Sequence, residues 1–385
     1  MSVTRMKPRK RGRYLFGAAA IAIAGAAGLG VQYGLNPNEA AASQEVVVGS
    51  TAELEAAIED AAAGTTISVK GGTYKPTSSL HSEASGTASA PITLQPYGNG
   101  EVIVDGSGLP EESWLLAIHG SYWHVSDMTF ENSTAHGVVV TSSTGGVFKN
   151  LTTANNGDTG FNLRGDDTVN NLVENLDSYG NYDAAANGEN ADGIAVKFGT
   201  GSGNVIRGAR LFENSDDGLD FWSFAGAVRV EDSWAWSNGE NVWDDSNFQG
   251  DGNGFKLGGD DEAVPHKIIN NAAWDNVANG FTENSNTGQM QIYRNTAYDN
   301  GGSGFWFQTG TARLARNLSA EGGSADVLGS RTVSAANTWD GVSSPALAST
   351  DGSEAYTERG SDGSLPAVDL LVTGSSAIGA TMGYL

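Results

Sequence analysis

The sequence predicts an all-β protein, a solenoid of parallel β-strands with coils of about 24 residues and a short helix at its N-terminal end. Three observations predict this fold. Asparagines and glycines recur at a nearly constant step, short runs of alternating apolar residues lie between them, and no helical pattern interrupts the repeat. Because the 385 residues include no cysteine, packing and not disulfides must stabilise the fold.

The first 42 residues have the features of a secretory signal peptide. Six basic residues precede an apolar run from Tyr14 to Val31, and three alanines ending at residue 42 form a small-residue cleavage site. A single membrane anchor is the alternative, and the glycine and alanine content of the apolar run disfavours it. We therefore expect a secreted, extracellular protein with one catalytic domain over residues 43–385.

The chain that remains after this leader is strongly acidic. Removing residues 1–42 takes six of 21 basic and one of 45 acidic residues, which leaves 15 and 44 and a formal net charge of −29. Such a surface repels nucleic acid and anionic lipid. It also repels an acidic polysaccharide unless a cation lies between them. We expect a monomer with no nucleic-acid partner and, once the leader is cleaved, no membrane partner.

Seven asparagines mark one turn of the coil. They are separated by 24, 25, 33, 24, 38 and 24 residues, at Asn132, Asn156, Asn181, Asn214, Asn238, Asn276 and Asn300. Stacked coils place equivalent residues about 4.8 Å apart, so side-chain amides at this turn can hydrogen-bond from coil to coil. We predict a structural asparagine ladder and assign it no chemistry.

A glycine followed by an apolar residue comes after each asparagine, and the apolar residue is predicted to lie in the core. The glycines are Gly137, Gly160, Gly193, Gly218, Gly254, Gly280 and Gly304. In five coils the Asn-to-Gly separation is 4 or 5 residues, but in two it is 12 and 16. Residues 182–192 and 239–253 are therefore insertions at one corner, where lengthened loops indicate a binding face. Their aromatic residues Tyr182, Trp243 and Phe248 can stack on sugar rings or pack within the protein.

The two ends of the repeat are also predictable. Ser50 or Thr51 can N-cap a short helix that buries Leu54 and Ile58 and covers the open end of the core. Strands are then predicted at 66–69, 92–94 and 102–104. After about residue 330 the repeat fades into a tail rich in Ser, Gly and Asp, which we expect to pack along the outside.

Alignment on the glycines brings several charged residues together. Asp192 and Asp217 each precede a glycine in successive coils, and Asp216 lies beside them. Asp220 and Lys256 each come two residues after a glycine, so they are predicted to share an exposed sheet surface. Like charges that face each other across a sheet are destabilising, and oxygen ligands without His or Cys favour Ca²⁺. A purely structural calcium is the alternative to a catalytic one.

At these residues the chain resembles the family 9 polysaccharide lyases, which are right-handed parallel β-helix pectate lyases. The segments that carry the resemblance are NADGIAVKFGTGSGN, NSDDGLDFW, GNGFKLGG and NNAAWDNVANGF. The resemblance implies that Asp192, Asp216, Asp217 and Asp220 bind calcium and that Lys256 is the Brønsted base. It also implies β-elimination on polygalacturonate, an acidic polysaccharide.

Two further basic residues, Lys197 and Arg207, are candidates for holding sugar carboxylates, although each can equally be an ordinary surface charge. The five histidines show no metal-ligand spacing and are interpreted as structural.

Three alternatives to a pectate lyase stay open. They are a lyase for another uronan, a polygalacturonase-like hydrolase with acidic catalysts, and a solenoid that binds glycans without cleaving them.

Overall fold

The computed structural model describes residues 44–374 and 377–385. The segment predicted to be a signal peptide lies outside the described residues, so the leader and the domain boundary at residue 43 remain predictions. In the part of the chain that is described, no helix is both long enough and apolar enough to cross a membrane.

Short β-strands dominate the described chain. In chain order they are β1 (Gln44–Val48), β2 (Thr65–Tyr74), β3 (Leu80–Ser82), β4 (Ile92–Asp105), β5 (Leu116–Ile118), β6 (Trp123–Ser126), β7 (Thr129–Glu131), β8 (Val138–Thr141), β9 (Val147–Lys149), β10 (Thr152–Ala154), β11 (Phe161–Gly165), β12 (Leu172–Glu174), β13 (Asp177–Tyr179), β14 (Ile194–Gly199), β15 (Asn204–Arg207), β16 (Arg210–Phe212), β17 (Leu219–Asp220), β18 (Val228–Glu231), β19 (Trp234–Trp236), β20 (Phe255–Lys256), β21 (Lys267–Ile269), β22 (Ala272–Trp274), β23 (Phe281–Thr282), β24 (Gln291–Tyr293), β25 (Thr296–Tyr298), β26 (Phe305–Phe307), β27 (Arg313–Ala315), β28 (Leu318–Ala320), β29 (Val327–Leu328) and β30 (Val333–Ala335). One α-helix, α1 (Thr51–Glu59), and the 3₁₀ turns Gly106–Gly108, Thr338–Asp340 and Gly352–Tyr356 complete the elements.

These strands form three long parallel sheets around one core. Sheet 1 contains β3, β5, β8, β11, β14, β17, β20, β23, β26 and β29. Sheet 2 runs through every third strand from β6 to β30, and sheet 3 runs through every third strand from β7 to β28. The long strand β4 bends, so that its first half pairs with β6 and its second half pairs with β7. The predicted parallel β-helix is therefore confirmed.

The asparagine ladder is confirmed between Asn156 and Asn300. From Asn156 to Asn276, each side-chain Nδ2 donates to Oδ1 of the asparagine in the next coil, at 2.7 to 3.0 Å. Asn132 was wrongly included, because Ser133 takes its place and donates its backbone N–H to Asn156 at 3.1 Å. Asn132 adopts a left-handed conformation with φ 57° one residue earlier. A second ladder, which the sequence reading missed, joins Asn271, Asn295, Asn317 and Asn337.

The repeated glycines are required by the close approach of neighbouring coils. A Cβ on Gly218 would lie 2.6 Å from the carbonyl oxygen of Gly254 and 2.9 Å from Nδ2 of Asn238. The apolar residue after each glycine is fully buried, as predicted, and the rings of Phe255, Phe281 and Phe305 stack with centroids 4.8 and 5.0 Å apart. This column anchors the inner face of sheet 1.

Helix α1 covers the N-terminal end of the core as predicted. Ser50 is the N-cap and accepts a hydrogen bond from the Glu53 backbone at 3.4 Å, while the Glu53 carboxylate accepts one from Gly49 at 2.8 Å. Leu54 and Ile58 are completely buried against the first strands. In a standard capping box the N3 carboxylate accepts the N–H of the N-cap residue. Here the Glu53 carboxylate accepts the N–H of the preceding residue, Gly49.

At the other end, the last coil extends further than the sequence indicated. β30 still pairs with β27, and Asn337 still ends the second ladder. The chain beyond the 3₁₀ turn that ends at Asp340 then lies against the outer face of sheet 3. There Leu365, Leu370 and Met382 pack on an aromatic cluster of Phe212, Trp234, Trp236 and Trp274.

Candidate metal and catalytic site

Two long loops stand beside sheet 1 at the corner where the insertions were predicted. The loops of residues 182–192 and 239–253 pack against each other. Tyr182 stacks on Trp243 with ring centroids 4.6 Å apart and donates its hydroxyl to Asp245 at 2.9 Å, and Trp243 stacks in turn on Phe248. These three aromatic rings therefore have a packing role, and they hold the two loops together as one wall.

At the foot of this wall, a polar ladder continues into the aspartates. The backbone N–H and Nδ2 of Asn279 both donate to Oδ1 of Asn253, whose own two donors go to Oδ1 of Asp217 at 2.7 and 2.8 Å. The N–H of Asp217 then donates to Oδ1 of Asp192 at 3.3 Å. Two rungs of an amide ladder are thus occupied by carboxylates, which accept the ladder bonds with one oxygen and keep a second oxygen.

The second oxygen of Asp217 is the unusual atom of the site. Oδ2 is buried and accepts no hydrogen bond of good geometry from any described residue, although the Nζ of Lys256 lies 3.0 Å away. That distance makes an ion pair, but the angles are wrong for a directed bond. A buried carboxylate oxygen in this state is a candidate metal ligand.

Asp216 links the two loops. Its Oδ1 accepts the N–H of Asp251 at 2.7 Å, and its Oδ2 accepts the N–H of Asn190 at 2.9 Å. One aspartate therefore fixes a residue of each insertion at the edge of the site. The predicted site residue is brought into the cluster, and it has a structural task there as well.

Asp220 and Lys256 occupy neighbouring rungs of β17 and β20, as the alignment predicted. The expectation that they lie on an exposed surface was wrong. Asp220 is only 1% exposed, and the Lys256 side chain is 13% exposed. Both side chains point away from the core of the coil, but the two loops and the neighbouring carboxylates cover them.

Two ammonium groups lie among these carboxylates. Lys197 Nζ is 2.7 Å from Asp192 and 2.8 Å from Asp220, while Lys256 Nζ is 3.0 Å from Asp217 and 3.6 Å from Asp220. Lys197, expected to bind a sugar carboxylate, thus pairs with two of the aspartates. Its role toward substrate stays a prediction.

Sequence reasoning missed Asp251. Its carboxylate lies 2.9 Å from Lys256 Nζ and is exposed to solvent. Asp251 belongs to the second insertion, which has no equivalent in the neighbouring coils, so no column could reveal it. The only signal was its position three residues before the glycine of the Lys256 coil.

The electrostatics of the cluster are set by burial and by proximity. Burial raises the pKa of Asp217 to about 7, although the nearby Lys256 ammonium acts to lower it. Burial also raises the pKa of Asp192 well above its usual range. Burial would lower the pKa of Lys256, but Asp217 and Asp220 outweigh it and raise that pKa above its usual value. Crowded carboxylates thus favour any added positive charge.

The donors fit a hard divalent cation. Ligand atoms of Asp192, Asp217 and Asp220 lie within 4.8 Å of one another, and so do those of Asp216, Asp217 and Asp251. Neither group contains His or Cys, which excludes a zinc-like donor set and matches the all-oxygen preference of Ca²⁺. The two groups share Asp217, the residue whose Oδ2 accepts no directed hydrogen bond.

A cleft of about 280 Å³ opens onto this cluster. Its walls include the side chains of Lys197, Asp216, Asp220, Trp222, Asp251 and Lys256. The cleft is polar, and it opens onto the partly exposed ammonium of Lys256 and the exposed carboxylate of Asp251 on the outer face of sheet 1.

Arg207, the second predicted sugar-binding residue, is not brought to the site. It lies on β15 of sheet 2, in register with Glu174 and Glu231, and its Nε donates to Glu231 at 2.7 Å.

Of the histidines, His81 and His119 both contact Glu83 at 2.9 Å on the first coils, a cluster that their spacing did not reveal.

The family model described as "Pel9A-like, right handed beta helix region" matches residues 33–343. The chain belongs to this family. It is 40% identical to the pectate lyase PEL9 of Emericella nidulans over 366 residues, covering 85% of this chain and 89% of that protein. It is also 34% identical to a pectate lyase L of Dickeya chrysanthemi, covering 90% of this chain and 85% of that protein.

Solved structures agree. A crystal structure of pectate lyase Pel9A superposes with a TM-score of 0.76 at 32% identity, covering 83% of each chain. A rhamnogalacturonan lyase at 23% identity shares the fold with a TM-score of 0.74. The predicted family, polysaccharide lyase family 9, and its right-handed parallel β-helix are confirmed.

Proposed function

We propose that this protein is a secreted, calcium-dependent pectate lyase that cleaves polygalacturonate by β-elimination. Its membership of the Pel9A-like family, together with relatives named pectate lyases at 34 and 40% identity, supports the lyase activity. One observation carries the mechanism: Lys256 Nζ lies 3.0 and 3.6 Å from two buried aspartates of a cluster that suits a hard cation.

Asp192, Asp216, Asp217 and Asp220 are the proposed calcium ligands, and Asp251 is a further candidate. When bound, calcium would withdraw charge from the C6 carboxylate of a uronate and so acidify the adjacent C5–H bond. Two observations support this assignment: Oδ2 of Asp217 is buried without a directed hydrogen bond, and the carboxylate oxygens lie close to one another. A cation also lets an acidic protein hold an acidic polysaccharide.

Lys256 is the proposed base. Its neutral amine would take the C5 proton, the C5–H electron pair would form the C4–C5 double bond, and the bond from C4 to the leaving oxygen would break. The leaving oxygen then takes a proton from water. A lysine suits this task because its amine can lose and regain a proton near the working pH, provided that the carboxylates which raise its pKa are neutralised.

The test is incubation of the purified protein with polygalacturonate, in calcium and in excess chelator, while the ultraviolet absorbance of an unsaturated uronide is followed. We expect absorbance with calcium and none in chelator. Reducing ends without unsaturated product would indicate a hydrolase, and binding without cleavage would indicate a glycan-binding solenoid. Equal activity with and without chelator would remove the metal from the mechanism.

A further inference from the structure

A cationic side chain lies between two aromatic rings on the outer face of sheet 1, outside the aspartate cluster. The guanidinium carbon of Arg164 is 5.5 Å from the ring centroid of Trp114 and 5.3 Å from that of Phe198. Among the described residues, no carboxylate forms an ion pair with it. In so acidic a chain, an arginine that is held by rings and not by carboxylates keeps its hydrogen-bonding edge free.

Arg164 lies on the same sheet as the proposed site. It is the penultimate residue of β11 and is in register with Lys197 on β14, which reaches Asp192 and Asp220. β11 is three strands from β20, and the column of Lys256 meets β11 at Asn162, two residues before Arg164. Arg164 and Lys256 are therefore separated by about 14 Å along the solenoid axis and about 7 Å along the strands. One extended sugar chain that crosses sheet 1 obliquely can therefore contact both.

Between them, two aromatic rings face solvent. Phe198 is 47% exposed and Trp222 is 38% exposed, and their rings meet edge to face at 5.2 Å. Phe198 has φ 56°, a conformation that is strained for a bulky residue. It is the extra residue of a β-bulge, because Arg164 pairs with Lys197 while Gly165 pairs with Gly199. Bulges of this kind redirect a side chain, often beside an active site.

We propose that Arg164, held by Trp114 and Phe198, binds a carboxylate of the uronan chain at a subsite remote from the bond that is cleaved. Phe198 and Trp222 supply apolar ring faces for the sugars that lie between this subsite and Lys256. The guanidinium presents a planar pair of N–H donors, which matches a carboxylate in a bidentate arrangement. The subsite deepens the proposed function and rests on it.

The test uses galacturonate oligomers from the trimer to the octamer, with saturating calcium, on wild type and Arg164→Gln. Arg313→Gln is the matched control, because Arg313 is an exposed arginine on sheet 2 and its loss changes the net charge equally. In wild type, kcat/KM should rise once the oligomer is long enough to reach Arg164. In Arg164→Gln that increment should disappear, with KM for the octamer raised about 10-fold or more. The kcat should stay within about twofold, since the contact holds ground state and transition state alike.

Arg164→Lys keeps the positive charge but removes the planar pair of N–H donors, so it should restore only part of the increase in kcat/KM with oligomer length. A length profile of Arg164→Gln that parallels wild type, or an equal loss on short and long oligomers, would overturn the subsite. Failure of wild type to release unsaturated product would instead refute the proposed function. In that case calorimetric binding of the octamer decides on Arg164 independently: an affinity at least about 10-fold weaker in Arg164→Gln supports the subsite, and an unchanged affinity refutes it.

Discussion

Asp217 divides its two carboxylate oxygens between the fold and the site. Oδ1 accepts two hydrogen bonds from Asn253, as an asparagine would, and Oδ2 faces Lys256 and the proposed metal position. An amide ladder needs only one oxygen at each rung. An aspartate at a rung therefore keeps the acceptor and adds a charged ligand, although it lacks the Nδ2 donor by which an asparagine bonds to the next rung.

This division predicts that Asp217→Asn separates stability from function. The ladder bonds to Oδ1 persist, the repulsion with the neighbouring aspartates is removed, and Lys256 keeps Asp220 and Asp251 as ion-pair partners. The melting temperature in chelator should therefore be equal to or higher than that of wild type. The rise in melting temperature on adding calcium and the lyase activity should both be lost. Calorimetry with and without calcium measures this, with the exposed Asp299→Asn as control. An unaltered calcium response in Asp217→Asn would exclude the residue as a ligand.

Lys256 offers a second prediction at the scale of single residues. A positioned base contributes roughly 10²–10⁴-fold, so Lys256→Ala should lower kcat by about that factor. Lys256→Arg should be nearly as damaging, because a guanidinium stays protonated and cannot accept the C5 proton. Turnover on calcium-saturated polygalacturonate across alkaline pH is the measurement, with the exposed Lys267→Arg as control. If Lys256→Arg kept most of the activity, residue 256 would bind substrate electrostatically, and the base would lie elsewhere.

The elements of this fold are held in register by side chains at the turns. Asn238 accepts hydrogen bonds from the backbone and side chain of Asn214, and its own backbone N–H and Nδ2 donate to Asn276 at 3.2 and 2.8 Å. All three asparagines are buried. With strands as short as two or three residues, these bonds fix which coil stacks on which.

Asn238→Ala should therefore lower the free energy of unfolding by at least about 1–3 kcal/mol, because the buried N–H groups of Asn214 lose their acceptor. Urea unfolding followed by circular dichroism measures the change. Asn132→Gly is the matched control, because Asn132 lies outside the ladder and glycine accepts its φ of 57°. Equal losses in the two variants would mean that the ladder contributes no more than an ordinary turn.

Much of the site could be predicted from the sequence. When the coils are aligned on their repeated glycines, residues at the same position of successive coils are neighbours in space. Asp192, Asp217, Asp220 and Lys256 each occupy a rung of such a column, and the structure brings them together. Burial could not be predicted in this way. It arises from loops that have no counterpart in other coils, and the same reason hid Asp251.

Sheet assignment was the second limit. Each coil carries three strands, and only the strand after the repeated glycine was placed in register by the sequence. Arg207 lies on sheet 2, where its neighbours are Glu174 and Glu231, so closeness along the chain did not mean closeness to the aspartates. The pairing of Arg164 with Trp114 and Phe198 joins three different coils and left no local pattern.

At the scale of the whole molecule, different segments of the chain pack on the outer faces of sheets 1 and 3. Sheet 1 carries the two loops and the cleft, whereas sheet 3 is covered by the C-terminal tail. Phe212, Trp236 and Trp274 form a stack on the outside of sheet 3, with centroid separations of 4.3 and 5.0 Å, and the tail buries it. An uncovered aromatic face of this kind would promote aggregation.

The tail should therefore contribute to stability and not to chemistry. Leu370 is 1% exposed within the cluster on sheet 3, so Leu370→Ala should lower the free energy of unfolding by about 2–5 kcal/mol. Because the cleft lies on sheet 1, kcat and KM on polygalacturonate should stay at wild-type values at a temperature where the variant is folded. Leu385→Ala, at a residue that is 63% exposed, is the control and should leave both properties unchanged. A fall in kcat of folded Leu370→Ala would mean that packing on sheet 3 is coupled through the core to the position of Lys256.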